Sequence, residues 1–258
     1  MYRVAVIDMD SVLFSAFSPN KVLGFDGVPE RTVDNKRFIY KEKSCLEVME
    51  SCDFLMNRML TNSKATHFVS YVKGRDTTKN KELINPLYKS DRGSSPPYYW
   101  RFTKEYMKIR WGAIEANGCE TDDMVRIANL KIKNSFIVAI DSDLLGLEGT
   151  HFNWRTNEWI TTTKYEEDYK FWSDMITGTH NFCKGIPGKG SKYVEKYLIS
   201  SVSSRQYPEM VLIQYIDHFG EKEGIREFNS QYFCNKILED YEHFSIPELI
   251  EFSNEIEF

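Results

Sequence analysis

The sequence predicts an α/β fold, with a central, mainly parallel sheet flanked by helices and continued by a helical C-terminal region. Three observations predict it. Residues 4–7, 67–72 and 136–140 are short β-branched runs, ending at Asp8, at Lys73-Gly74 and at Asp141. Runs of this length between helical patterns fit parallel strands buried on both faces. Residues 45–60 carry apolar side chains at 45, 48, 49, 52, 55, 56 and 59, the 3.6-residue period of an amphipathic helix. That helix fits the crossover between the first two strands. From Phe171 onward only helical patterns remain, broken by a Gly-rich turn at 185–190, with Pro208 suited to the first turn of a later helix.

The other elements follow in order. Residues 98–111 read as an aromatic and basic helix after the breaker Gly93-Ser-Ser-Pro-Pro97. Residues 122–133 read as a helix with Met124, Ile127 and Ala128 on one face, leading into the third strand. The acidic tail, 248–258, reads as a frayed end. Alternation of strand and helix points to one α/β sheet. Ligands of such sheets sit beyond the carboxyl ends of the strands.

Composition bounds the function. A chain of 258 residues with 41% hydrophobic and 28% charged residues is ordinary for a soluble globular protein. No apolar run approaches the ~20 residues that span a bilayer, and the N-terminus reads as a strand rather than a signal peptide. Cys45, Cys52, Cys119, Cys183 and Cys234 form no CxxC pair, which fits free thiols in a reducing compartment and argues against structural zinc. A cytoplasmic protein with no membrane contact is expected. The net charge of −5 argues against nucleic-acid binding by overall positive charge. Local charge differs: from Lys73 to Arg110 there are ten Lys or Arg and four acids. Such a basic island suits a phosphate backbone, or a solvated helical face of mixed charge.

Acids gather at element ends. Asp8 follows the first strand, Glu120, Asp122 and Asp123 open a helix, and Asp141 and Asp143 follow the third strand. Each piece has a bland reading, because acids favour helix starts and Asp favours turns. Six unpaired carboxylates brought together would repel, and divalent cations with oxygen preference resolve the conflict. A metal site for phosphoryl-transfer chemistry follows, with phosphatases still open at this point.

Gly185-Ile-Pro-Gly188-Lys189-Gly190-Ser191-Lys192, preceded by Lys184, leads into another helix. Glycines allow close backbone approach and N–H groups that hold phosphate. This is a helix–hairpin–helix type of signature for the duplex backbone, not a nucleotide-binding GxxxxGK[ST] loop. A plain connecting loop is the alternative.

In this order the motifs resemble the 5′-nuclease (flap endonuclease) superfamily, near the phage and bacterial 5′–3′ exonucleases and the T-even phage ribonuclease H. ValIleAspMetAsp resembles the first-strand motif, matching at Asp8. Residues 88–92, TyrLysSerAspArg, resemble Tyr-Lys-x-x-Arg, which implies that Lys89 and Arg92 contact the scissile phosphate. GluThrAspAsp and AspSerAsp resemble the family's acidic motifs, which implies Glu120, Asp122, Asp123, Asp141 and Asp143 as metal ligands. The Gly-rich stretch resembles the helix–three-turn–helix that binds duplex DNA and often holds K⁺. The resemblance covers most of residues 1–200. It implies a PIN-like nuclease core over 1–170 with a short arch or clamp at about 76–112, then a helical DNA-binding region over 171–258.

The departures carry information. Val72 stands where the family has an acid near the end of the second strand, with Asp76 nearby. Gly178 and Asn181 stand where two acids precede the Gly-rich turn, with Asp174 one helical turn upstream. Asp10, Asp76 and Asp174 are therefore secondary metal candidates, and the resemblance implies one firm and one weakened site for Mg²⁺ or Mn²⁺. Only 27 residues separate Arg92 from Glu120, so the arch is expected to be reduced, with Tyr98, Tyr99, Trp100 and Phe102 available to stack on bases and at least two of them expected to pack on the core instead.

The resemblance implies a structure-specific 5′-nuclease, an exonuclease or flap endonuclease acting on DNA or RNA–DNA hybrids, in phage DNA replication or primer removal. Its partners would be flap, nicked or gapped duplex and hybrid, with replication proteins as further candidates, and it would act as a monomer. The alternative is a catalytically weakened DNA-binding accessory protein of the same fold. A compact RNA-cleaving domain of the PIN type is disfavoured by the Gly-rich turn and helical extension.

Overall fold

The computed structural model describes residues 2–18, 20–23, 31–33, 36–90, 96–179, 183–198 and 203–253, at 20–23, 31–33 and 36–41 by backbone alone. The chain opens with β1 (Val4–Asp8), which is buried along its whole length. Its side chains alternate between two cores: Ala5 and Ile7 face one cluster, Val4 and Val6 the other. A strand apolar on both faces has to sit inside a covered sheet. Helix α1 (Met9–Ala16) follows at once, and Asp8 caps it by accepting from the Asp10 backbone N–H at 3.1 Å.

The next segment departs from the expected simple crossover. Strands β2 (Asn20–Leu23), β3 (Arg31–Val33) and β4 (Lys36–Lys41) form a separate antiparallel sheet in the order β2-β4-β3. Only then comes the expected amphipathic helix, α2 (Cys45–Ser63). Ser44 and Glu47 close a capping box at its start, and Val48, Cys52, Met56, Met59 and Leu60 are buried on one stripe. Helix α2 delivers the chain to β5 (His67–Lys73), which pairs in parallel with β1.

Helices α3 (Lys79–Ile84) and α4 (Trp100–Trp111) follow. Strand β6 (Ile114–Ala116) pairs with β5. Helix α5 (Thr121–Lys131) then packs on the Val4/Val6 face and leads to β7 (Ser135–Ala139), parallel to β1. A short helix α6 (Ser142–Leu145) precedes the hairpin of β8 (Gly149–Asn153) and β9 (Glu158–Thr162). The main sheet thus places β1 between β5 and β7, so the carboxyl ends of the two Asp-terminated strands lie side by side.

Beyond the sheet, α7 (Lys164–Thr177), α8 (Ser191–Tyr197), α9 (Tyr207–Phe219) and α10 (Glu221–Asn235) enclose their own apolar cluster around Trp172, Met175, Ile186, Val211 and Tyr215. The tail is not frayed where it is described. Leu238, Tyr241, Phe244 and Leu249 pack on the α5 core, and β10 (Ile250–Glu251) adds antiparallel to β5. Residues 254–258 of the expected frayed end lie outside the described residues. Arg126 ties the regions together, donating to the Glu148 carbonyl at 2.9 Å and lying 3.6 Å from both Glu167 and Glu239. Among the described residues no helix is long and apolar enough to cross a membrane.

Candidate active site

A cleft of ≈ 1190 Å³ opens at the carboxyl ends of β1, β5 and β7. Among its lining residues are the acids Asp8, Asp10, Glu82, Glu120, Asp122 and Asp141 and the cations Lys73, Lys89, Arg101, Lys104 and Arg155. The strand-end acids serve as helix caps. Asp8 caps α1, and Asp141 caps α6 by accepting from the Asp143 backbone N–H at 2.8 Å. The capping fixes each carboxylate at the mouth of its strand.

Burial and like charge shape these acids. Burial first, then Asp10 and Asp141, push the Asp8 carboxyl up to about 7. Burial, with Asp8, Asp141 and Glu120, pushes Asp122 well above the usual range. Burial also raises Asp10, although Thr121 Oγ1 donates to it at 2.6 Å and the Lys73 backbone N–H at 3.1 Å.

Glu120 is the exception. Burial opposes its ionisation, but Lys81 and Lys89 override this and hold its carboxyl at about 2. Lys81 Nζ lies 2.8 Å from Oε2, the Tyr88 hydroxyl donates to the same oxygen at 2.7 Å, and Lys89 donates to Oε1. Lys89 has φ +54, in the left-handed region that a lysine rarely occupies. The turn therefore holds Lys89 in a costly conformation that aims its ammonium at the cleft.

Not every expected residue arrives there. Asp123 turns away, accepting from the Glu120 N–H at 3.0 Å and the Leu238 N–H at 2.8 Å, so it fastens the start of α5 to the returning tail. Asp143 faces a different pocket, where Lys170 bridges it to Asp174. Asp76 is exposed, in a turn at φ +53, and does not line the cleft. Arg92 lies outside the described residues. Among the aromatic candidates, Tyr98 and Phe102 are exposed, whereas Trp100 packs against Phe14 with ring centroids 4.6 Å apart and also lines the cleft.

At the Gly-rich turn, Gly185 (φ +66) is buried and accepts no side chain: a Cβ there would stand 2.4 Å from the Ile176 carbonyl oxygen and from the Gly178 nitrogen. Its own N–H donates to Gln231 at 2.9 Å. Gly188 and Gly190 face open space, and Lys184, Ser191 and Lys192 are exposed. Lys189 turns inward, donating to Gln214 and lying over the Tyr193 ring at 4.5 Å.

Sequence reasoning missed Lys81, Thr121, Arg155 and Lys170. Lys81 belonged to the basic island but carried no motif. Arg155 sits in the β8–β9 turn, far from that island in sequence, and only the topology brings it to the cleft.

Comparison with solved structures settles the architecture. A bacteriophage T5 flap endonuclease mutant, in a pseudo-enzyme–product complex with DNA and metal ions, superposes with a TM-score of 0.62 at 13% identity, over 90% of this chain and 90% of that one. A T5 5′-exonuclease mutant gives 0.56 at 14% identity, over 91% and 86%. The T5 5′-exonuclease with bound zinc gives 0.57 at 12% identity, over 90% and 91%. The chain has the 5′-nuclease fold. No protein-family model and no curated protein matches it.

Within the 5′-nuclease fold, the cleft described above is the place to test for a divalent metal. Among the described residues no three Asp, Glu, His or Cys side chains are already gathered in a coordinating arrangement. The fit is one of charge and donor chemistry. Asp8 is a buried and Asp122 a half-buried oxygen donor; Asp8 raises the Asp122 carboxyl, and Asp141 adds to the upward shift of both. A hard divalent cation removes that repulsion.

Proposed function

We propose that this protein is a metal-dependent 5′-nuclease that hydrolyses phosphodiester bonds in structured DNA or RNA–DNA hybrids. The observation that carries this reading is the convergence of Asp8, Asp122 and Asp141 in one cleft that Lys73, Lys89, Arg101, Lys104 and Arg155 also line. Asp8, Asp122 and Asp141 would hold the ion, with Asp10 beside them, and Glu120 joins only once Lys81 and Lys89 release it. When bound, Mg²⁺ or Mn²⁺ supplies Lewis acidity toward a water and the phosphate.

The chain's own residues do the rest. Lys89, freed from Glu120, and Arg92 would neutralise the scissile phosphate, where charge grows as the bond breaks. Arg101, Lys104 and Arg155 give the strand a cationic track across the cleft. The helical region would grip the duplex through the open backbone at Gly188 and Gly190 with Lys184, Ser191 and Lys192. On this reading residues 1–170 form the nuclease body and 171–258 the duplex grip, while the tail returning to β5 holds the two together. A role in phage replication or primer removal belongs to the same proposal.

The accessory-protein reading draws support from Glu120, which Lys81, Tyr88 and Lys89 already occupy. One assay separates the two: labelled 5′-flap, nicked duplex and RNA–DNA hybrid, each with Mg²⁺, Mn²⁺ or EDTA. Cleavage with metal and none with EDTA is expected. Duplex binding without cleavage under either metal would establish the accessory role instead.

A further inference from the structure

Lys170 stands in the middle of α7 with its ammonium between two acids. Nζ lies 2.8 Å from Asp143 Oδ1 and 2.9 Å from Asp174 Oδ2. Asp143 is held by the turn after β7, the same turn that aims Asp141 into the cleft. Asp174 lies one helical turn beyond Lys170 on α7. Both distances are those of charge-assisted hydrogen bonds.

The backbone makes room for this lysine. Its aliphatic stem crosses Gly146, at the end of α6, where a Cβ would stand 2.6 Å from Lys170 Cδ and 3.2 Å from Cε. Any other residue at 146 would push the stem aside. The lysine is half-buried rather than free in solvent, so its ammonium is aimed by packing as well as by charge.

We propose that the Lys170 ammonium is a built-in cation that occupies the position between Asp143 and Asp174, so that the protein binds one exchangeable divalent ion rather than two. The count of one rests on the metal centre proposed above at Asp8, Asp122 and Asp141. The occupancy by Lys170 does not.

The physical argument is competition. Two carboxylates attract a divalent ion, but the ion must displace an ammonium that already satisfies them. The ammonium is tethered, so its effective concentration at the acids is far above that of free metal, typically in the millimolar range or higher for short tethers. Mg²⁺ also surrenders its waters reluctantly, which favours the ammonium already in place. Removing the lysine frees two carboxylates, which retained waters can complete into a coordination shell.

The test is a Mn²⁺ titration of the full chain without nucleic acid, read by the electron paramagnetic resonance signal of free Mn²⁺. The native chain is expected to bind one ion, Lys170→Ala two, and Lys170→Arg one. Lys170→Ala combined with Asp174→Asn is expected to return to one. Lys170→Gln, closer in length, serves if the alanine variant does not fold, as judged by its circular dichroism melt. Two ions on the native chain, or no additional ion on folded Lys170→Ala or Lys170→Gln, would overturn the proposal. No ion on the native chain with one on Lys170→Ala would refute the Asp8–Asp122–Asp141 centre while upholding the lysine. No ion on either would refute both.

Discussion

The Lys81 ammonium lies 2.8 Å from Glu120 Oε2, and both side chains are about nine-tenths withdrawn from water. The pair joins α3 to the start of α5, and the Tyr88 hydroxyl completes the same oxygen. Removing one partner of a buried ion pair leaves the other uncompensated, at a cost of about 3–5 kcal/mol. Lys89 also reaches Glu120, so Lys81→Met is expected to cost the lower end of that range, measured by urea unfolding. Glu120→Gln in the same chain should restore part of the loss. A Lys81→Met protein as stable as the native one would show that the pair contributes nothing.

Asp8 carries the clearest pH signature. Its folded-state pKa of about 7 lies above the ordinary 3.8. The folded chain therefore holds this proton more tightly than the unfolded chain. Stability from that proton is complete below pH 3.8 and is lost as pH rises through about 7. Asp8→Asn removes the penalty and keeps a capping oxygen. Without metal at pH 8 it is expected to be more stable than the native chain, by on the order of 2–4 kcal/mol. Saturating Mg²⁺ should erase or reverse the difference. Thermal melts at pH 4 and pH 8, with and without Mg²⁺, check the sign.

Gly185 and Gly188 separate packing from conformation. Both have positive φ, but only Gly185 has backbone within 2.4 Å of a built Cβ. Gly188→Ala is expected to cost about 1–2 kcal/mol, the ordinary penalty of the left-handed region. Gly185→Ala should cost clearly more and detach the turn from the end of α7. Equal melting temperatures for the two variants would contradict the close approach.

Arg155 lines the cleft from the β8–β9 turn and is exposed. Arg155→Ala is expected to leave folding unchanged, weaken flap binding, and lower the magnitude of the log–log salt slope by about one. An unchanged slope would remove Arg155 from the nucleic-acid track.

The sequence exposed the parts of the fold that repeat locally. Residues 4–7, 67–72 and 136–140 became β1, β5 and β7, because strands buried on both faces leave unbroken apolar runs. The 3.6-residue period over 45–60 became α2. The β2–β4 sheet and the β8–β9 hairpin left no such run, and β10 is only two residues long, so its pairing with β5 is decided by tertiary contact. The strand-end acids were legible because chain position put them there. Their partners were not. Nothing in Lys81 or Lys170 as letters reveals an ammonium engaged by acids, since that depends on which helices meet. Asp123 shows the reverse: a motif position was readable, while its engagement with the Leu238 N–H needed a tail more than a hundred residues away.

On the function proposed here, Asp8, Asp122 and Asp141 together would hold the divalent ion that supplies Lewis acidity for phosphodiester hydrolysis. Single-turnover cleavage of a labelled 5′-flap with Mg²⁺, comparing the native chain with Asp141→Asn, tests it most directly. Asn keeps the α6 cap but surrenders the charge. The account predicts a rate lower by about 10²-fold or more, the scale of losing one electrostatic stabiliser, with duplex binding retained. Cleavage by Asp141→Asn at the native rate would contradict it.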